Sequence, residues 1–354
     1  MILVLNAGSS SLKIEIFNED LTSMTSGAVT NIGTAGQLKL GESQTDVETR
    51  DHAEALARML GALDEAGYPI SALSAAAHRV VHGGTVLTEP ARLRPPVIKA
   101  IESVIPLAPL HNPNNLAGIH ALQEMAPNLP QYCSFGTAFH ATNPDVAIRY
   151  AIPQTHHDAG IRRYGFHGLS YANMVADFGR DLPERLLAFH LGNGASLCAI
   201  LKGKSIATSM GYSPLSGLTM GTRSGDIDGA AVLRMSKSLG EDETDRMLNK
   251  NSGLKALAGD NNMKTLLERD DDAAKFAIEH FCYWAARNAG SAIVAMGGLD
   301  AVAFTGGIGE NAAPIRDRIM EHLECFGEVP LHVIEADEEK QIARDALALI
   351  AEGR

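Results

Sequence analysis

Cysteine is scarce here, and it is unpaired. Cys133, Cys198, Cys282 and Cys325 lie far apart with no C-x-x-C spacing. That pattern argues against a disulfide framework or a zinc site, and for buried thiols in a reducing compartment. No apolar run reaches the length of a membrane span, so a membrane is not an expected partner. No basic stretch precedes the first apolar segment, so no signal peptide is expected and the cytoplasm is the default. An excess of basic charge is also missing: 30 Lys and Arg face 42 Asp and Glu, a formal net charge of −12. Nucleic acid is therefore not expected as a partner, and any bound nucleotide needs a local basic pocket. A Walker A loop, G-x-x-x-x-G-K-[ST], occurs nowhere. The remaining composition, 45% hydrophobic and 20% charged over 354 residues, suits a globular α/β chain of roughly two domains.

What is present begins at the first residue. Ile2 to Leu5 is a short apolar strand, and Asn6-Ala7-Gly8-Ser9-Ser10-Ser11 is a polar turn. Leu12, Ile14 and Ile16 then alternate with Lys13, Glu15 and Phe17, the period of a second strand. Such a turn presents backbone N–H groups and hydroxyls, and Lys13 adds a positive charge, which suits a phosphate chain. Alone, it reads equally as an ordinary hairpin with solvated serines. The pattern recurs. Leu186 to Leu201 is again strand, small turn (Gly192-Asn193-Gly194-Ala195-Ser196) and strand. A third turn, FTGGIGEN at Phe304 to Asn311, follows an apolar strand and opens a helical pattern. Two phosphate hairpins and a later glycine turn predict a duplicated domain closing on a nucleotide, the layout of the actin- and hexokinase-type ATPases.

Other segments read locally. Asp51 to Ala66 is helical, with Ala55, Met59, Leu60 and Leu63 on one face. Asp271 to Met296 is a long helix whose Phe276, Phe281, Trp284 and Ile293 are expected mainly in the core. Glu310 to Phe326 reads as one helix, and Asp337 to Ala351 as the last. Arg79 in HRVVHGG is either a surface charge or a guanidinium aimed at a carboxylate or phosphate. Arg223, in the glycine-flanked loop TSMGYSPLSGLTMGTRSGDID, is either mobile surface or part of a preorganised anion site. His167, between glycines in RRYGFHGLS, is either a packed imidazole or a group at a cleft.

These blocks, with APLHNPNNLAGIHAL, TAFH, HLGNGASL and DEEKQIARDA, resemble the acetate kinases in order and over nearly the whole chain. The resemblance implies two RNase H-like, actin-like ATPase domains with a nucleotide cleft between them: residues 1–142 completed by 333–354, and 143–332. It implies reversible transfer of a phosphoryl group from ATP, the co-substrate, to acetate, with Mg²⁺ (Mn²⁺ as the alternative) and a homodimer. Residue by residue, it implies that Arg79 binds the carboxylate and that Val81, Leu110, Phe166 and Pro214 line the acyl pocket. His167 and Arg223 would face the phosphoryl group. Lys13, His190, Leu191, Gly192, Asn193 and Gly194 would hold phosphates, with Gly307, Ile308, Gly309, Glu310 and Asn311 also on the nucleotide. Asn6 and Glu338 would be associated with the metal.

Two departures stand out. Gly136 occupies the position of the family's catalytic aspartate, and Asn262-Met263-Lys264 replaces an Asp-x-Arg that holds the base side of the nucleotide. A carboxylic acid has a pKa of about 4 to 5, so acetate is already ionised at neutral pH and needs no general base. The aspartate therefore acts by placement, and its loss slows transfer without forbidding it. The competing expectations are a kinase for propionate or another short acid, a different phosphoryl donor, or a catalytically dead nucleotide-binding relative.

Overall fold

The computed structural model describes residues 1–354. The chain divides into two compact units, Met1–Ala138 with Asp337–Arg354, and Phe139–Ala336. These crossings lie slightly before and slightly after the boundaries expected at 142 and 333.

The first unit is built on eight strands: β1 (Ile2–Ala7), β2 (Ser11–Phe17), β3 (Ser23–Thr30), β4 (Ala35–Leu40), β5 (Ser43–Glu48), β6 (Ala75–Val80), β7 (Ala91–Arg92) and β8 (Gln131–Phe135). Their order in the sheet is β5-β4-β3-β2-β1-β6-β8-β7. The first five form an antiparallel meander, whereas β6 and β8 run parallel to β1. Parallel strands need crossovers, and the helices His52–Glu65 and Asn112–Met125 supply them. Asp51 caps the first of these by accepting from the Glu54 N–H. Leu56, Met59 and Leu63 of that helix pack on Leu12, Ile14 and Val29 of the sheet, all buried. The C-terminal helix, Glu338–Ala351, returns to this unit. Ser134 on β8 donates to its Asp345 at 2.7 Å, and burial pushes that carboxyl above its ordinary range.

The second unit repeats the plan with five strands: β9 (Arg185–Leu191), β10 (Ala195–Leu201), β11 (Lys204–Thr208), β12 (Ala301–Thr305) and β13 (Leu331–Val333). The order is β11-β10-β9-β12-β13. Here too an antiparallel meander, β9-β10-β11, is followed by strands parallel to its first member. Leu186, Ala188, Cys198 and Ile200 fill one face against Tyr171 and Met174 of the helix Gly168–Phe178.

Some local expectations need correction. Phe276 is 57% exposed, because it projects outward from the long helix Asp272–Met296, whereas Phe281 and Ile293 are buried. The stretch from Glu310 to Phe326 is not one helix. A short helix, Gly306–Asn311, already includes the glycine turn, and a second, Ala313–Leu323, restarts at Pro314. Of the cysteines, Cys133, Cys198 and Cys282 are buried, with thiols pushed up to about 12 by burial, and Cys325 is exposed. No helix is long and apolar enough to cross a membrane.

Candidate active site

In the first unit the turn after β1 is closed by Gly8 N–H donating to Ser11 O at 2.8 Å. The antiparallel register places Lys13 opposite Asn6, so the amide and the ammonium share the end of one hairpin. Asn6 donates through Nδ2 to Glu339 Oε1 at 3.3 Å. Arg79, the penultimate residue of β6, donates through Nε to Glu338 Oε2 at 2.7 Å, with both side chains less than one-fifth exposed. The first turn of the C-terminal helix thus delivers one carboxylate to Arg79 and the next to Asn6. Glu15, two residues beyond Lys13, has its carboxyl pushed up by burial, with Asp337 and Glu339 adding to the effect. An amide oxygen and nearby carboxylates form an all-oxygen donor set suited to Mg²⁺. No group of three acidic, histidine or cysteine side chains encloses a metal.

Val81 is half-buried, its N–H bonded to Asn115 Oδ1 at 3.0 Å, while Leu110 is 64% exposed. Gly136 follows β8 and donates its N–H to Val80 O at 2.9 Å. A Cβ placed on Gly136 would lie 2.9 Å from the Val81 carbonyl oxygen, closer than such atoms approach without backbone movement. Backbone thus lies close against the position read in the sequence as that of the family's aspartate.

The second unit holds the remaining candidates. His167 caps the helix Gly168–Phe178 with φ of 58°, a left-handed conformation that a non-glycine residue adopts at some cost. Its Nδ1 lies 2.9 Å from Ser196 Oγ, and its ring stacks on His190 with centroids 4.1 Å apart. His190 Nδ1 in turn lies 2.9 Å from Ser170 Oγ. The β9–β10 turn closes with Gly192 N–H donating to Gly194 O at 2.9 Å. A Cβ on Gly194 would sit 2.6 Å from Arg223 Nη2 and 3.3 Å from His167 Nε2, so glycine lets both side chains press onto the turn. Arg223 also donates through Nη1 to Pro214 O at 2.6 Å. It is half-buried with no carboxylate partner, and burial pulls its pKa below the ordinary value. Phe166 is buried beside this group, and Leu191 is fully buried in β9.

A cavity of about 760 Å³ opens next to the same turn. It is lined by Gly192 and Asn193, by Asn262, Met263 and Lys264, and by Gly307, Ile308 and Asn311, with Asn261 and Glu268 alongside. That volume lies within the range of small-molecule and cofactor sites. Asn262 caps the helix Met263–Leu267 by accepting from the Lys264 N–H at 3.0 Å, a task that amide and carboxylate do equally well. Asn261 donates to Asn193 Oδ1 at 3.0 Å. Glu310 is spent structurally, its Oε1 accepting from Gly306 N–H and Ala336 N–H. Gly309 is buried against Phe304.

The acetokinase family profile matches residues 1–350. The chain belongs to the acetokinase family. An acetate kinase of Stutzerimonas stutzeri (strain A1501) is 41% identical over 391 residues, covering 99% of this chain and 98% of the relative. The solved acetate kinase of Porphyromonas gingivalis superposes with a TM-score of 0.93 at 32% identity, covering 99% of both chains. A propionate kinase from Francisella tularensis subsp. tularensis SCHU S4 superposes with a TM-score of 0.90 at 36% identity, covering 97% of this chain and 98% of that one. As an acetokinase, the chain is a phosphotransferase with a carboxyl group as acceptor and ATP as substrate, on the actin-like ATPase fold. Glu339, Ser196, Ser170, Tyr171 and Asn261 were missed as site residues. Ser196 and Glu339 lie inside the recognised blocks, and Tyr171 follows His167 by one helical turn, so their positions were in view but their contacts were not.

Proposed function

We propose that the acceptor is acetate, that ATP is used with Mg²⁺, and that Gly136 leaves a working but slowed kinase. The observation that carries the reading is Arg223, a half-buried cation with no carboxylate partner, against the Gly192–Gly194 turn beside His167. Such a charge is costly to bury and is relieved by an anion. In this reading the cavity beside that turn takes the nucleoside, and Arg223 and His167 neutralise the phosphoryl oxygens as charge develops there. Arg79 orients the acetate carboxylate, whose oxygen attacks phosphorus in line. The bond to the leaving ADP oxygen breaks as the new P–O bond forms, and no proton need move. Asn6 and Glu338, with Glu339 nearby, would hold Mg²⁺ (or Mn²⁺), which when bound neutralises phosphate charge. Lys13 would add to that neutralisation. A homodimer is also proposed, on the apolar surface of the second unit, where Phe276, Tyr283 and Val294 of the long helix are 57%, 49% and 75% exposed.

Acyl phosphate formed from ATP, Mg²⁺ and acetate, trapped as the hydroxamate, tests this for the chain and for Gly136→Asp. The expected result is slow formation by the chain and a gain of about 10² to 10⁴ in the variant, if the backbone at Val81 gives way. Silence from both while ATP still binds would make this a nucleotide-binding protein without transfer. Propionate, run in parallel, should react as well, since one methylene discriminates by only about 1–3 kcal/mol and Leu110 is largely exposed.

A further inference from the structure

Behind His167 runs a short chain of hydroxyls. Tyr171 and Ser196 are both fully buried, and Tyr171 Oη lies 2.6 Å from Ser196 Oγ. Ser196 Oγ lies 2.9 Å from His167 Nδ1. The backbone N–H of His190 also faces the phenol oxygen. We infer that Tyr171 and Ser196 are positioning residues that hold His167 as the neutral tautomer with its proton on Nε2, the nitrogen facing Gly194 and Arg223. The inference rests on the reading of His167 as a group acting on the phosphoryl oxygens.

The directions follow from counting protons. The phenol oxygen already accepts from the His190 N–H. Its own proton has Ser196 Oγ as the acceptor at hand. Were the serine to donate to the phenol instead, a fully buried phenolic proton would be left without a partner, a costly arrangement. Tyrosine therefore donates to serine. Serine then has one proton to place, and its other hydrogen-bond neighbour is His167 Nδ1. Nδ1 must accept, so in the neutral ring the proton sits on Nε2. An imidazole fixed this way offers an N–H, the donor needed by an anionic phosphoryl oxygen, and not a lone pair that would repel it. Hydrogen bonds linked in series also polarise one another, which sharpens the Nε2–H donor.

The test is the tautomer itself. Two-bond ¹⁵N–¹H correlation of the His167 imidazole, in mildly alkaline buffer on the full chain, distinguishes Nε2–H from Nδ1–H. The expected spectrum is Nε2–H for the chain and a mixture for Ser196→Ala. Tyr171→Phe, which removes one oxygen and keeps the ring, should shift the balance less. Alongside, kcat should fall by about 10- to 100-fold in Ser196→Ala with KM for ATP and acetate unchanged, as expected when a group that orients a histidine is lost. An Nδ1–H spectrum in the chain, or an Nε2–H spectrum unchanged in both variants, overturns the inference. His167→Ala separates it from the underlying reading. If that variant keeps full acyl phosphate output while the spectra behave as expected, the proton arrangement stands and the role of His167 on the phosphoryl group falls.

Discussion

Gly194 in the second unit and Gly136 in the first both stand where a side chain has no room, for opposite reasons. At Gly194 the space is taken by the ends of two functional side chains, Arg223 and His167. At Gly136 it is taken by backbone, the carbonyl of Val81. One glycine leaves room for charged and polar side-chain ends, and the other lies against main chain. The two arginines show the same contrast. Arg223 has no carboxylate partner, whereas Arg79 is held by Glu338 at 2.7 Å. The arginine of the second unit keeps its charge uncompensated by a carboxylate, while that of the first is neutralised within its own unit.

The largest effect expected from this contrast is on turnover. Gly194→Ala puts a methyl group 2.6 Å from Arg223 Nη2, and the arginine must swing off the turn. The loss in kcat should be about 10² to 10³, as for removal of one preorganised donor, with the thermal midpoint little changed because a flexible side-chain end gives way. An unchanged kcat would break the comparison. Acid comes next. Burial lowers His78 and His82 in the first unit, and His140 in the second, from 6.5 to about 4, and lowers His280 of the second unit as well. Folded values below the unfolded one mean that folding releases protons. The stability these groups contribute is whole above pH 6.5 and is lost as pH falls toward 4, by about 3 kcal/mol for each histidine at about 4. Calorimetry between pH 7 and 5 should show the first unit losing more, and no loss in that interval would contradict the assigned burial. Gly136→Ala should then behave as the mirror of Gly194→Ala. Denaturant unfolding should show a stability loss of about 1–3 kcal/mol, with acyl phosphate output nearly unchanged. The smallest effect is sought at Glu338→Gln. Read at saturating Mg²⁺, because the same carboxylate is proposed to hold the ion, removing the charge that competes for Arg79 should lower KM for acetate by about two- to fivefold. A rise in that KM would mean that Glu338 helps Arg79 bind and does not compete with the substrate.

The hairpins were legible because burial on both faces writes them as apolar runs interrupted by small polar turns, as at Ile2–Phe17 and Leu186–Leu201. Two of the edge strands were not legible. β7 is two residues long and β13 follows Pro330 with only three, too short for any period to register. Phe276 was misread because an aromatic at helical spacing has the same pattern whether it faces a core or a surface. In the site, residues within one block were readable, since His167 and Arg223 carry glycines around them for close approach. What could not be read was pairing across sequence. Arg79 and Glu338 are separated by 259 positions, and nothing local in either segment says that each meets the other. The nearness of the Val81 carbonyl to Gly136 was equally hidden, because a glycine gives no sign in the sequence of what packs against it.

The return of the C-terminal helix to the first sheet has a consequence for how the molecule is made. Glu338, Glu339 and Asp345 are made after the whole of the second unit, yet they complete the first. During synthesis the second unit has all of its strands before the first has its final helix, so Arg79 waits unpartnered through most of translation. A chain cut between Val333 and Glu338 would carry a second unit with every strand in place, attached to a first unit without the carboxylate that holds Arg79. The pair between Arg79 and Glu338 is therefore completed only after the whole of the second unit has been made.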